Sequence, residues 1–325
     1  MGQARFRLRN AALALAAVMA LAAPADAQDE KPARQPVRIL AGPAGGADHA
    51  LGAAMAKLIA NRVADSRASV RASGTSFERV LRLDGGDGEL VIAAGHVLAA
   101  ARAGNAAMSV KRKLQNLSAI AALRSDFLYI VTAKDARIST LADLKGKRVS
   151  VGLVRSDTEL ATRALLAAIG IKHADFATAE YLSIADAAEL MKQRELDAFF
   201  HIGPRADRAL RALAANSEIT LIAIPPELVT KLGAPFRRST IPANSYSGQT
   251  IAVATALVPY FLATRTDLPE DRVFALTKAV FDHLTELTAA EPAARVIRLE
   301  SAPRGVPVPL HRGAAKYFKA KGVRF

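Results

Sequence analysis

The chain contains no cysteine and no tryptophan in 325 residues, and aromatic residues make up only 5% of it. Without cysteine there can be no disulfide, no thiolate nucleophile and no cysteine-ligated metal. Few aromatics leave little to build the stacking platforms that hold single-stranded nucleic acid. Acidic residues are also the minority, 30 against 44 Lys and Arg, for a formal charge of +14. Such a balance suits nucleic acid, an anionic membrane surface or an acidic ligand. Here the basic residues are scattered, no arm or nucleic-acid motif gathers them, and no nucleic-acid partner is expected. Long apolar runs are missing too. Ala11–Ala23 and Ile251–Ala263, the latter containing Pro259, fall short of the roughly 20 residues of a membrane span.

Catalytic signatures are equally sparse. There is no G-x-G-x-x-G, no P-loop G-K-[ST], no G-x-S-x-G elbow and no H-E-x-x-H. The six histidines, His49, His96, His173, His201, His283 and His311, show no metal-ligand spacing. The expectation is a protein that is not an enzyme and carries no cofactor and no metal.

What is present begins with a signal-like amino terminus. Arg5, Arg7 and Arg9 precede the apolar run Ala11–Ala23, and Ala25-Asp26-Ala27 supplies a small-x-small cleavage site. Residues 1–27 therefore read as a signal peptide cleaved after Ala27, which places the mature protein in the periplasm. The remaining length suffices for two modest domains.

Strand and helix patterns alternate along that length. Val37–Leu40 is a short β-branched run, followed by the loop Gly42-Pro-Ala-Gly45-Gly46 and a helix with Leu51, Met55, Leu58 and Ile59 on one face. Glu89–Ala94, Leu128–Thr132, Asp197–Phe200 and Ile251–Ala263 read as buried strands, and 219–224 as a further one. A helix is expected over 203–214 with Pro204 near its first position, and residues 236–249 read as loop. The most informative stretch is Leu141–Glu159. A helical turn leads through Lys145-Gly146-Lys147 into the strand Val149–Val151, Gly152 ends it, and Arg155-Ser156-Asp157-Thr158 opens a new helix. A strand feeding a helix amino end leaves free N–H groups beside a crevice, where anions are held. The loop at Gly45 and Gly46, with Asp48 and His49, repeats that arrangement near the start. Ser156 with Glu159 would equally make a capping box, and Asp48 a cap, so spacing alone leaves binding and capping open.

Taken in order, several segments resemble the TAXI family, the solute receptors of tripartite ATP-independent periplasmic (TRAP) transporters. The family's G-x-x-GG-x-Y-Y-x-L-G loop is Gly42–Gly52 here, and its G-S-x-E-N-L stretch is matched by Gly74–Leu90. DLKGKRVSVG (Asp143–Gly152) matches closely, and its G-S-G-T-E is Arg155–Glu159. LDAFF with Gly203-Pro204, Ile241-Pro242 through Gln249, and Pro309-Leu310-His311 with Gly313-Ala314 complete the set. The resemblance implies an α/β, two-lobed type II periplasmic binding protein fold. Each lobe would be a mixed sheet, with a two-strand hinge between them. Lobe 1 would comprise residues 35–130 plus 251–325, and lobe 2 residues 131–250. It also implies a monomeric receptor that closes on a small-molecule solute and presents it to the membrane permease of a TRAP transporter. The implied ligand-binding residues are Gly45, Gly46, Asp48, His49, Ser76, Arg79, His96, Arg155, Ser156, Asp157 and Thr158, with Tyr246 and Gln249 near the hinge.

The chain departs from the family at the pocket. Asp48 and His49 replace the aromatic pair, Arg79 replaces the Asn of E-N-L, and Ala94-Gly95-His96 replaces Q-S-D. Gained guanidinium and imidazole groups favour a solute with a carboxylate, and Asp48 could accept from its amine or hydroxyl. Other readings are a ligand sensor feeding a signalling kinase, an orphan scavenger, and an enzyme or metal site built on Asp48, His49, His96 and His201.

Overall fold

Two strands, Ser118–Ala133 and Val253–Thr264, are long enough to serve both halves of the molecule, at 16 and 12 residues. The computed structural model describes residues 34–105 and 112–325, so the expected signal peptide lies outside the described residues. In chain order the first half contains β1 (Gln35–Ala41), α1 (Ala47–Arg62), β2 (Ser66–Ala72), α2 (Ser76–Asp84), β3 (Leu90–Ala94) and α3 (Gly95–Ala103). The first long strand is β4. Beyond it come β5 (Arg148–Ser150), α4 (Asp157–Ala168), β6 (Thr178–Glu180), α5 (Ile184–Lys192), β7 (Ala198–Gly203), α6 (Arg208–Asn216), β8 (Ile219–Leu221), α7 (Pro226–Leu232) and β9 (Arg237–Ile241). The second long strand, β10, returns to the first half, which α8 (Glu270–Phe281), α9 (Leu284–Ala290) and α10 (Arg312–Ala320) complete.

The order across the sheet is β2-β1-β3-β10-β4-β7-β5-β6, with β8 on β4 and β9 on β10. β1, β2 and β3 pair in parallel through right-sized helical crossovers, whereas β10 runs antiparallel to β3 and β4. Antiparallel pairing of β4 with β10 covers Ser118–Phe127 against Leu257–Thr264. At Phe127 and Leu257 each strand changes neighbours, β4 to β7 and β10 to β9. That exchange is the expected two-strand crossing. The sheets are not separate, however. Because the two strands cross unbroken, the ladder continues from one half into the other.

Helix amphipathicity decides the layers. Leu51, Met55 and Ile59 of α1 pack with Val273 of α8 and with Tyr317 and Phe318 of α10 on one face of the first half. On the opposite face Phe77 and Val80 of α2 join Leu160 of α4 and Val229 of α7 in a core that extends into both halves. Tyr129, Phe199, Leu210 and Tyr246 form a third cluster on the remaining face of the second half.

Three sequence expectations are corrected here. The strand expected at Leu128–Thr132 is the end of one that begins at Ser118, because the polar run Arg124-Ser125-Asp126 is built into it. The loop expected over 236–249 contains β9, a polar edge strand on β10. The helix expected from 203 starts at Arg208, because Asp207 is its cap and accepts from the N–H groups of Ala209 and Leu210 at 2.8 and 3.1 Å.

The turn from β5 to α4 demands glycine. Gly152 has φ +94°, and an added Cβ would lie 2.8 Å from the Thr158 Cβ. Gly152→Ala is expected to cost about 2 kcal/mol. The check is the denaturation midpoint at unchanged m-value, and an unmoved midpoint would show that the turn relaxes around a methyl group.

Candidate functional site

Three helix amino ends meet where the halves face one another. From the first half, the β1–α1 turn brings Gly42, Pro43 and Gly46 with Ala47 and Asp48, and the β2–α2 turn brings Gly74 and Thr75. Leu153, Ser156, Asp157 and Thr158 at the start of α4, with Ile202 of β7, form the opposite wall. Arg79, Arg124 and Tyr260 complete a cleft of about 410 Å³, within the range of small-molecule sites.

Charge inside the cleft is balanced by the chain itself. Arg79, only 2% exposed, donates from Nε to Ile92 O at 2.8 Å, from Nη1 to Gly74 O at 2.5 Å and from Nη2 to Asp48 Oδ2 at 3.1 Å. Asp48 Oδ1 accepts from Arg124 Nη2 at 2.8 Å, and Arg124 Nη1 donates to Asp126. Burial works against the Arg124 charge, but Asp126 and Asp48 outweigh it and hold the guanidinium above its ordinary range. Arg124 and Tyr260 are register partners across β4 and β10, and the guanidinium lies 4.1 Å from the ring centroid. A bulge follows Tyr260 directly, a device that re-aims a strand residue beside a site.

Asp157 is held differently. Its carboxylate reaches from α4 to the first half, where Oδ2 accepts from Ser76 Oγ at 2.9 Å and from the Tyr260 hydroxyl at 3.0 Å. Oδ1 accepts from the Ser76 N–H at 3.3 Å. His96 Nε2 donates to the Asp157 carbonyl at 3.1 Å. Burial pushes the His96 imidazole below its usual range despite the opposing pull of Asp157, and burial followed by Asp157 pushes the Tyr260 phenol well above its own.

The sequence-derived candidates divide into four groups. Gly46, Asp48, Arg79, Ser156, Asp157 and Thr158 line the cleft. Ser156 is also the α4 cap, accepting from the Glu159 N–H at 3.1 Å, and the Thr158 hydroxyl accepts from Ile202 N–H at 3.2 Å. Ser76 and His96 sit directly behind Asp157 and are buried. Gly45, His49 and Arg155 flank the cleft without lining it. Arg155 adopts φ +57° and sets its guanidinium 5.5 Å from the Phe77 ring.

The expected pocket role of Tyr246 and Gln249 is corrected. Tyr246 is 4% exposed and donates to Tyr129 Oη at 3.0 Å within the second-half core. Gln249 donates to Pro242 O and Ile251 O at 2.9 and 2.7 Å, tying its own loop together. The four residues of the metal-site reading do not converge either. His201 pairs with Asp207 at 3.0 Å, His96 with the Asp157 carbonyl, and Asp48 with two arginines. Among the described residues no group of three or more His, Asp or Glu is placed to hold a metal ion.

Arg124, Asp126 and Tyr260 are the site residues that sequence reading missed. A charged pair inside an apolar strand was the available signal, since such residues are buried only when paired. A larger hollow of about 730 Å³ lies entirely within the second half, between residues 139–145 and 223–231, with Leu141, Ile171 and Leu228 in its wall. It lies apart from the ion-pair network.

Known proteins share this fold. The chain is similar in structure to XAC2383 of Xanthomonas citri bound to ATP, with TM-score 0.57 and 12% identity over 88% of this chain and 94% of that one. A TctC solute-binding protein from Polaromonas gives 0.53 and 18% over 88% and 98%. PhnD1 from Prochlorococcus marinus, in complex with methylphosphonate, gives 0.51 and 13% over 89% and 91%. At these identities the likeness is one of fold, and it defines the class as a two-lobed α/β fold of the type II periplasmic binding protein kind. Within that class, the profile of the NMT1-like family matches residues 39–322, and the chain belongs to that family. No helix among the described residues is long and apolar enough to cross a membrane.

Two predictions follow from the buried charges. Arg124→Met leaves Asp48 and Asp126 short of a counter-charge, and the expected loss is about 3–5 kcal/mol, the cost of breaking a buried pair. A loss below about 1 kcal/mol would mean solvent screens the network. The second concerns pH. Burial lowers the His96, His173 and His311 imidazoles, so the unfolded chain binds protons first, near its ordinary value of about 6.5. Stability is then complete above that pH and declines as the pH falls. The thermal midpoint should drop between about pH 7.5 and 5.5, and His96→Gln should flatten that slope.

Proposed function

We propose that this chain is a non-catalytic solute receptor of the TAXI type, exported, cleaved after Ala27 and active in the periplasm as a monomer. Its lobes, residues 35–130 plus 251–325 and residues 131–250, enclose a small carboxylate-bearing organic solute without a cofactor. The solute passes to the membrane permease of a TRAP transporter. The observation that carries this reading is the meeting of three helix amino ends, those of α1, α2 and α4, at one cleft between the halves.

The α1 end offers the solute carboxylate its place. Its cap residue is Gly46, which supplies no side-chain acceptor, so the first-turn N–H groups keep their capacity. Asp48 lies in that turn, but Arg79 and Arg124 both neutralise it. Asp48 and Asp157, lining the same cleft, would accept from a hydroxyl or amine of the solute, and Ser156 and Thr158 would close the far wall. Binding needs only such oriented groups and the exclusion of water. The Polaromonas and Prochlorococcus neighbours, a solute-binding protein and a methylphosphonate complex, fit the same reading.

Thermal-shift screening of the mature protein against carboxylates, amino acids and other small metabolites tests it. A true solute at a hundred times its Kd should add about 2.7 kcal/mol of stability. Ala47→Trp, which fills the cleft from an exposed position, should abolish that shift with little effect on the unliganded midpoint. A screen in which no small solute stabilises the protein would sink the receptor reading.

A further inference from the structure

We propose that Asp157 is a built-in occupant of an anion seat at the amino end of α2, and that it limits the receptor to solutes with a single anionic end. The inference rests on the receptor reading for its consequence, but the seat itself is carried by geometry. The seat consists of the Ser76 N–H, the Ser76 hydroxyl and the Tyr260 hydroxyl, all three directed at the Asp157 carboxylate. Ser76 is fully buried and Tyr260 is 5% exposed, so these donors are fixed before any ligand arrives. The hydroxyl direction of Ser76 is also determined. Its oxygen already accepts from Arg79 Nη2 and from the Ala94 N–H, each at 3.0 Å, which leaves its proton for Asp157.

Asp157 is not serving its own helix in this position. Ser156 caps α4, and the Asp157 oxygens bond to the first half alone. Neither neighbouring guanidinium reaches the carboxylate, since Arg79 and Arg124 are engaged by Asp48, Asp126 and backbone carbonyls. The carboxylate is thus solvated as a bound anion would be, by a helix amino end and two hydroxyls. The halves are bridged without solute, and a second carboxylate on a solute would have to evict Asp157. The α1 end remains as the open anionic position.

Chemical rescue tests the seat without knowledge of the natural solute. Asp157→Ala should lower the thermal midpoint, and sodium formate should recover most of that loss relative to sodium chloride at matched ionic strength. Any formate-specific shift in wild type, through the open α1 end, should be much smaller than the recovery in Asp157→Ala, and adding Ser76→Ala to Asp157→Ala should reduce the shift to the wild-type one. A midpoint lowered in Asp157→Ala and insensitive to formate would overturn the proposal, leaving Asp157 as a stabiliser of α4. The consequence for specificity is read with succinate, which should bind Asp157→Ala roughly tenfold or more tighter than wild type. Equal succinate affinity would overturn the limit on solute charge. Should Asp157→Ala not fold, Asp157→Asn keeps an acceptor for Ser76 and Tyr260 while removing the charge, and it must also bind succinate more tightly than wild type. Formate rescue alongside a failed solute screen would uphold the seat and reject the receptor reading, and the reverse pattern would do the opposite.

Discussion

The pairing of β4 with β10 is the constraint on which the rest depends. Both strands run on into the second half, where β4 pairs with β7 and β10 with β9, and their register sets Arg124 opposite Tyr260. That one pair of positions gives the cleft its floor. Arg124 holds Asp48 on the α1 side, and Tyr260 donates to Asp157 on the α4 side. The bulge after Tyr260 lets the strand carry both an aromatic aimed at the cleft and a continuous apolar face. A register slip of one residue would send every one of these side chains to the opposite face.

The cleft is polar without presenting an unpaired charge from its ion-pair network. Burying Arg79, Arg124, Asp48 and Asp126 is costly in isolation, and each is retained because its partners lie within bonding distance. Asp48 is the centre, shared between two guanidiniums that come from different elements, α2 and β4. Its two ion pairs therefore fix α1, α2 and β4 relative to one another at the cleft. The formal charge of the whole chain is +14, yet among the described residues lining the cleft the two arginines, Arg79 and Arg124, are both paired with Asp48.

Much of the fold was legible because periodicity reports burial, and burial is what builds layers. The strand at Val253–Thr264, read from the apolar run Ile251–Ala263, and the buried positions Leu51, Met55, Leu58 and Ile59 of the helix at Ala47–Arg62 show it. Periodicity fails where polar residues are buried for a reason that pairs distant positions. Arg124 and Asp126 interrupt an apolar run, and nothing local reveals that Asp48 and Tyr260 complete them. Arg79 shows the same limit from another side. Its helical position suits either solvent or solute, and its real partners are the Ile92 and Gly74 carbonyls and Asp48. Tyr246 and Gln249 are expected in the pocket only through the resemblance over residues 241–249, and in this chain their side chains hold the loop to itself and to the core.

The arrangement at Asp157 alters what a ligand has to accomplish. A receptor whose halves come together only around solute must draw the ordering cost of closure from the solute's own contacts, which reduces the apparent affinity by the fraction of closed molecules. Here four hydrogen bonds already join Asp157 to the first half. At about 1 kcal/mol net apiece, more where the acceptor is charged, such bonds are large on the scale of a conformational equilibrium of a few kcal/mol. A solute entering beside them contributes its differential contacts and not the whole of closure. On the proposed receptor reading the same bonds would narrow the choice of solute, because the groups that would welcome a second anion are occupied by one that is covalently part of the chain. On that reading, affinity for a small, singly charged solute and exclusion of doubly charged ones would have a single physical origin, the length of one aspartate side chain at the start of α4.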